Sequence, residues 1–138
     1  ASGFYFHGDL NFQKGEEELD NGEKSPSRHA APFFGIGRLG YANSKLDLQF
    51  NAQFSDEVSY DNLAEEEKGK PEIYAIDSNG NPYSPSWYTL NLKSMYKLTE
   101  NFTVTAGLEN ITDQRYRPYS SGIVAPGKNF ILALRAKF

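Results

Sequence analysis

Strict alternation of apolar and polar side chains is the feature that most constrains the fold of this chain. The stretch "KLDLQFNAQF" (45–54) places Leu46, Leu48 and Phe50 at every second position, with polar residues between them. Side chains of a β-strand point to opposite faces in turn, so this stretch predicts a strand with one apolar and one polar face. Four further stretches alternate in the same way, at 2–13, 86–98, 101–110 and 130–138. The pattern predicts an all-β fold.

A sixth strand is predicted at "PFFGIGRLGYA" (32–42), where the alternation is less regular. If Leu39 and Tyr41 lie on the apolar face, Phe34 and Ile36 share the polar face with Arg38. Three glycines in this stretch, at positions 35, 37 and 40, indicate a bent or closely packed strand.

The connections between these strands alternate in length. Tight turns are predicted at 43–44 and 99–101, and long polar segments at 14–32, 55–85 and 115–128. The acidic clusters "EEELD" and "EEEK" in the long segments predict solvated loop charge, or carboxylates bridged by divalent cations to lipopolysaccharide. Only "NLAEEEKGK" suggests a helix, of a single turn. Short turns at one end and long loops at the other are typical of outer-membrane β-barrels.

Composition excludes several classes of protein. The absence of cysteine rules out a disulfide framework and thiolate metal sites, and the net charge of −4 disfavours a nucleic-acid-binding surface. No apolar run is long enough for a transmembrane helix, and the chain does not open on a signal peptide. Mean hydropathy is −0.63, which is compatible with a membrane barrel because only alternate residues of each strand meet lipid.

Two environments could cover the apolar strand faces: the core of a soluble β-sandwich or calycin-like barrel, or a lipid bilayer. The polar faces are rich in Asn, Gln, Thr and Asp rather than in the Lys and Glu of an ordinary solvent face. Tyr41, Tyr88, Tyr96 and Phe102 fall near predicted strand ends, where an interfacial aromatic girdle would lie. We therefore expect a transmembrane antiparallel β-barrel.

Six strands are too few to close such a barrel. An open sheet edge is not tolerated in hydrocarbon, and the smallest membrane barrels have about eight strands. We expect either that these residues belong to a longer polypeptide or that other chains complete the wall.

The C-terminal half closely resembles the last three strands of TonB-dependent outer-membrane receptors. The resemblance rests on "ENITDQRY" (109–116), "YSSGI" (119–123), "APGKNF" (125–130) and the terminal Phe138. The segment "HAAPFFGIGRLGY" (29–41) also resembles this family, where a strand follows a long loop. The style of "ENITDQRYRPYSSGI" is similar to that of receptors from Bacteroidetes-type bacteria.

The resemblance implies that residues 1–138 are the last six strands of a barrel of about 22 strands, whose N-terminal plug domain lies outside this chain. It implies active import across a Gram-negative outer membrane of an iron-containing ligand, a ferric siderophore or haem, driven by the TonB complex. Implied partners are lipid and lipopolysaccharide, the rest of the barrel and its plug, and the barrel-assembly machinery. Cobalamin or oligosaccharide uptake is an alternative, as is a passive or structural barrel closed by several chains.

The family resemblance also implies an assembly signal in the last strand. The end of this chain, a terminal aromatic residue preceded by alternating apolar residues, resembles the signal that the barrel-assembly machinery reads in this family. The signal would here comprise Phe130, Leu132, Leu134, Ala136 and Phe138.

Other candidate ligand and metal sites are inferred from residue type and position, without the family resemblance. Aromatic residues in the long segments and at one strand start could line a ligand's entrance: Tyr60, Tyr74, Tyr83, Trp87 and Tyr119. His7 and Asp9 share a strand face but lie on a polar surface, and "DSNGNPY" lacks the later ligands of a calcium loop. We expect no catalytic residue, no metal site and no cofactor.

Overall fold

A computed structural model gives the fold of the chain and describes residues 2–30 and 32–138. Its strands, in chain order, are β1 (Gly3–Asn11), β2 (Glu16–Glu18), β3 (Lys24–Pro26), β4 (Phe34–Ala42), β5 (Leu46–Ser55), β6 (Ala75–Ile76), β7 (Pro82–Tyr83), β8 (Trp87–Lys97), β9 (Phe102–Glu109) and β10 (Asn129–Ala136). The six long strands form one antiparallel sheet in the order β1-β4-β5-β8-β9-β10. The all-β fold and all six predicted strands are confirmed.

Strand register sorts the side chains into two faces of different character. Leu39 lies opposite Phe50, which lies opposite Leu92 on the next strand. One position further along, Arg38 lies opposite Asn51, and Asn51 lies opposite Asn91. We call these the apolar face and the polar face. Phe34 and Ile36 share the polar face with Arg38, as the sequence predicted.

The apolar face lies uncovered. Phe4 is 81% exposed and Leu132 is 67% exposed, although both are large hydrophobic side chains on regular strands. An apolar surface that extends over a whole sheet is far larger than the patches that soluble monomers expose. This face therefore requires a cover, either lipid or another apolar surface.

Gly40 shows why β4 contains glycine. It lies opposite Tyr5 of β1, and a Cβ atom at this position would overlap the tyrosine ring. The Tyr5 hydroxyl reaches across the polar face and donates a hydrogen bond of 3.0 Å to Oδ1 of Asp47. The Tyr5 side chain therefore packs closely against Gly40 of β4, as the glycines of this stretch indicated.

Short connections join the strands at one end of the sheet. In the first, Oδ1 of Asn43 accepts hydrogen bonds from the backbone N–H groups of Lys45 and Leu46, at 2.9 and 2.8 Å. In the second, Oγ1 of Thr99 accepts hydrogen bonds from two backbone N–H groups. These side chains hold the turns in the way that Asn and Thr commonly do, and both predicted turns are confirmed.

Aromatic residues border the apolar face near these turns. Tyr41, Tyr96 and Phe102 lie at the ends of their strands that meet the short connections. Phe4 and Tyr41 are cross-strand partners whose ring centroids are 5.1 Å apart. Such a border of aromatic rings is the arrangement found where barrel walls meet a membrane interface.

The long connections at the opposite end carry structure of their own. We call them loop 1 (12–33), loop 2 (56–86) and loop 3 (110–128). Loop 1 contains the β2–β3 hairpin, and loop 2 contains the β6–β7 hairpin and the one-turn helix α1 (Glu65–Lys68). The single helical turn was predicted, and the hairpins were not.

Among the described residues, the fully buried apolar side chains lie in loop 2 rather than on the six-stranded sheet. Leu63 and Ala64 are both 0% exposed. No helix in residues 2–30 and 32–138 has the length and apolar character needed to cross a membrane.

Candidate functional site

Loop 3 begins with a buried asparagine that fixes its course over the polar face. Asn110 has a left-handed backbone (φ 47°), and its Nδ2 donates hydrogen bonds to the carbonyls of Gln114 and Pro126, at 2.8 and 3.1 Å. Its Oδ1 accepts from the N–H of Gln114, while its own N–H donates to Oδ1 of Asn91 in β8. The "ENITDQRY" motif is therefore an asparagine-centred turn that ties loop 3 to the sheet.

Loop 3 then places an aromatic ring against the start of β8. Tyr116 and Trp87 are stacked, with ring centroids 4.2 Å apart and planes 27° from parallel. Burial, together with the negative charge of Glu109, raises the pKa of Tyr116. The stacked pair forms an apolar area on the polar face of the sheet.

An open cavity of about 680 Å³ lies between the polar face and the loops; we call it the outer cavity. Its wall includes Phe34, Gln53 and Trp87 from the strands, and its roof includes His29 of loop 1 and Tyr119 of loop 3. Asp9 is the acidic group in its lining, and none of the described residues that line it is a lysine or arginine. This combination of aromatic walls and a few polar groups is typical of small-molecule sites.

A second cavity, of about 360 Å³, lies further along the polar face; we call it the inner cavity. It shares Ile36 and Gln53 with the outer cavity. Its lining is more strongly charged, with Arg38, Lys93 and Glu109, and Tyr116 also contributes to it. The Trp87–Tyr116 stack therefore joins the linings of the two cavities.

The loops meet around a buried carboxylate, that of Glu67 in α1. Its side chain is fully buried and accepts hydrogen bonds from Tyr74 Oη (2.6 Å), Lys70 Nζ (2.8 Å) and Arg28 Nε (3.1 Å). Burial alone would raise the pKa of Glu67, but the hydrogen bonds from Lys70 and Tyr74 and the charge of Lys70 outweigh it and lower the pKa to about 2. Glu67 is therefore ionised at neutral pH, and its charge is balanced by Arg28 of loop 1 and Lys70 of loop 2.

This depressed pKa sets the pH range in which Glu67 stabilises the loops. Because the folded-state value lies below the ordinary value of 4.5, the contribution is fully present above about pH 4.5 and is lost as the pH falls towards 2. The sequence predicted solvated charge for this acidic run. That prediction holds for Glu65 and Glu66, which are exposed, and is wrong for Glu67, because cationic and phenolic side chains from distant positions enclose it.

The five aromatic residues proposed for the ligand's entrance lie in three different places. Trp87 and Tyr119 line the outer cavity together. Tyr60 and Tyr83 line a separate groove on loop 2, where Nζ of Lys68 lies 4.8 Å from the Tyr60 ring centroid. Tyr74 is bonded to Glu67, and burial together with that contact raises its pKa. Two of the five aromatic residues, Trp87 and Tyr119, therefore line the same cavity.

Four of the five residues proposed as the assembly signal lie on β10, at the edge of the sheet, and Phe138 lies beyond its end. Phe130, Leu132 and Leu134 are each at least 65% exposed on the apolar face. The regular strand ends at Ala136, although the backbone N–H of Lys137 still donates to the carbonyl of Asn101 at 2.9 Å. Phe138 therefore follows the last paired residue and is exposed.

The other candidates from the sequence have local explanations. Oδ1 of Asp77 accepts hydrogen bonds from the N–H groups of Asn79 and Asn81, both at 2.8 Å, which makes "DSNGNPY" a plain Asn-Gly turn. His7 Nε2 and Asp9 Oδ2 are 2.7 Å apart and both side chains are exposed. Within 2–30 and 32–138, no three His, Cys, Asp or Glu side chains are grouped to hold a metal ion.

His29, Phe34 and Tyr116 line the two cavities but were not predicted as site residues. The inward position of Phe34 follows from strand alternation and could have indicated the cavity. His29 and Tyr116 reach the polar face only through the folding of loops 1 and 3, and a single sequence carries no periodic signal for that.

The fold of this sheet is similar to part of several larger solved structures. The copper transporter OprC aligns with a TM-score of 0.73 and 16% sequence identity, over 98% of this chain and 21% of that one. The ferric enterobactin receptor PfeA aligns with a TM-score of 0.67 and 18% identity, over 100% of this chain and 21% of that one. A mutant of that receptor from Pseudomonas aeruginosa aligns with a TM-score of 0.68 and 16% identity, over 100% and 20%.

This chain thus spans about a fifth of the length of these structures, and the likeness concerns the fold. A scan against protein-family models and a search of curated proteins found no match.

Proposed function

We propose that this chain is the C-terminal barrel segment of a TonB-dependent outer-membrane receptor that imports an iron-containing ligand, a ferric siderophore or haem. The observation that carries the proposal is the two-faced sheet, with an uncovered apolar face on one side and loop-roofed cavities on the other. Such a sheet suits a wall between lipid and a polar lumen.

The sheet edges support a larger barrel. β1 and β10 are the two outer strands of the sheet, and each has one side without a partner strand in the described residues. Since unpaired backbone groups are not tolerated in lipid, both edges need further strands of the same barrel. In this proposal the remaining strands and a plug domain come from the rest of the polypeptide, giving about 22 strands in all.

The loops support ligand capture from outside the cell. They lie at the end of the sheet opposite the short turns, and loops 1 and 3 contribute residues to the lining of the outer cavity. A ligand that enters between them meets Trp87, Tyr119 and Phe34 before the charged inner cavity. Similarity of fold to a copper transporter and a ferric enterobactin receptor supports a metal-containing cargo.

The remaining parts of the proposal follow from the family. The TonB complex would supply the energy through the plug, and the barrel-assembly machinery would read the end of β10, with Phe130, Leu132, Leu134, Ala136 and Phe138 as its signal. Lipopolysaccharide would surround the exposed acidic groups of the loops. Tyr60 and Tyr83 stay candidates for a first, outer contact with ligand. No catalytic step and no resident cofactor are part of this function.

The test is uptake of radioactive iron by cells in which this receptor, at full length, is the only route across the outer membrane. Iron is supplied as a triscatecholate chelate, as a trishydroxamate chelate or as haem. We expect accumulation from at least one source, and its loss when TonB is disrupted. Uptake that persists without TonB would favour a passive barrel, and uptake of cobalamin or oligosaccharide alone would favour the other cargo classes.

Trp87 provides a test of the outer cavity in the same receptor. Replacing Trp87 by alanine removes the stacked pair with Tyr116, an arrangement worth about 0.5–1.5 kcal/mol beyond its buried area. We expect binding of the imported chelate to weaken by up to about tenfold, the equivalent of about 1.4 kcal/mol, as measured by quenching of intrinsic fluorescence.

Tyr88→Ala is the matched control, because Tyr88 is the next residue of β8 and lies on the apolar face. Equal weakening by both substitutions would show that the effect is not specific to the outer cavity.

A further inference from the structure

Glu67 is the point at which all three loops meet. Its carboxylate accepts hydrogen bonds from Arg28 of loop 1 and from Lys70 and Tyr74 of loop 2. From loop 3, Ser120 lies close enough to the same carboxylate to help lower the pKa of Glu67. The Tyr119 phenol next to it lies by the backbone N–H of Ala64.

Other contacts reinforce this junction. The backbone N–H of Glu65 donates to Oγ of Ser25 in loop 1 at 2.9 Å. Nη1 of Arg117 in loop 3 donates to the carbonyl of Glu72 at 3.0 Å. Each neighbouring loop is thus bonded to loop 2, and Glu67 is the buried charge at the centre.

The residues that contact Glu67 lie directly beside the residues that roof the outer cavity. Arg28 precedes His29, and Ser120 follows Tyr119. His29 and Ser120 both have left-handed backbones, with φ of 61° and 59°. Residues other than glycine adopt this conformation at a cost and keep it only where surrounding contacts hold it. Glu67 supplies a contact of that kind through Arg28, next to His29, and it lies close to Ser120, next to Tyr119.

We propose that Glu67 is a positioning residue, which holds loops 1, 2 and 3 as a single unit and thereby fixes His29 and Tyr119 over the outer cavity. The mechanical part of this inference stands on the contacts alone, while its effect on ligand binding rests on the proposed import function. The ionised carboxylate is required because it accepts three hydrogen bonds and balances two cations. A neutral amide of the same shape could keep its oxygen towards Arg28 and Lys70, which share Oε1, only by turning its NH2 group towards the Tyr74 hydroxyl, and it would leave both cations without a balancing charge.

Hydrogen exchange of the full-length receptor in detergent micelles tests the mechanical part without any ligand. With Glu67→Gln, we expect amide exchange in peptides from loops 1 and 3 to rise at least tenfold, while peptides from β5, β8 and β9 stay protected. Faster exchange confined to loop 2 would overturn the inference, since Glu67 would then stabilise only its own segment.

Glu65→Gln is the matched control. Glu65 lies in the same helical turn, but its carboxylate is exposed and pairs with Lys68 within that turn at 2.9 Å. We expect this variant to exchange like the wild type, and a rise equal to that of Glu67→Gln would contradict the assignment to Glu67.

Binding of the same three ferric probes, the triscatecholate, the trishydroxamate and haem, tests the functional part. For the probe that the wild type binds, we expect Glu67→Gln to weaken affinity about tenfold or more, with an unchanged unfolding temperature of the barrel wall. Unchanged affinity despite faster loop exchange would refute the role in positioning. A wild-type protein that binds none of the probes would count against the proposed function, while the exchange result would still decide whether Glu67 couples the loops.

Discussion

Replacing Ala106 by arginine is expected to destabilise the full-length protein in lipid vesicles by about 2–4 kcal/mol, the cost of an arginine at the lipid-facing midplane of a barrel. Ala106 lies in the middle of β9 on the apolar face, opposite Ser94 and Leu132. An arginine at this position would place a charge on the face of the sheet that we propose contacts the hydrocarbon of the bilayer. The measurement is the free energy of unfolding from reversible urea titration.

Thr105→Arg is the control for this experiment. Thr105 is the adjacent residue of β9 and lies opposite Met95 and Ala133 on the polar face. An arginine there reaches a water-filled lumen, so we expect a change within about 0.5 kcal/mol, as for ordinary surface substitutions. Equal destabilisation by the two variants would mean that both faces are buried in the same kind of environment.

Deleting Phe138 in the full-length protein is expected to reduce the heat-modifiable, folded form in cells several-fold. The residue follows the last paired residue of β10 and makes no buried contact, so its loss leaves the wall itself intact. If the assembly machinery reads the exposed end of this edge strand, the loss acts on assembly rather than on stability.

Two further measurements separate assembly from stability. Refolding of the deletion variant from urea into detergent micelles should proceed as for the wild type, and Phe138→Trp should assemble normally in cells because an aromatic end is kept. Unchanged assembly of the deletion variant in cells would remove Phe138 from the assembly signal.

The sheet could be read from the sequence because its signal is local and periodic. Every second residue of "KLDLQFNAQF" belongs to one face, and a slip of one residue would move Leu48 and Phe50 to the polar side. The strand bounds were less predictable. Phe12 and Leu98 continue the alternation but lie outside β1 and β8, because pairing with the neighbouring strand ends before the pattern does.

The candidate site could be predicted only in part, because its contacts join residues far apart in the chain. Arg28 and Glu67 are separated by 39 positions, and no periodic pattern links them. An acidic run with three successive glutamates gives no sign that the last one is buried. Trp87 was within reach, since strand alternation places it on the polar face, whereas the approach of Tyr116 depends on the buried Asn110 turn.

The most direct test of the account is which face of the sheet meets lipid. A fluorophore attached to a cysteine at Leu48 or at Gln49 of the full-length receptor in vesicles would be exposed to lipids that carry a quencher in their acyl chains. These adjacent residues lie on the apolar and the polar face of β5, respectively. We expect strong quenching at position 48 and little at position 49. Equal quenching at both positions, or the reverse order, would contradict a wall between lipid and lumen.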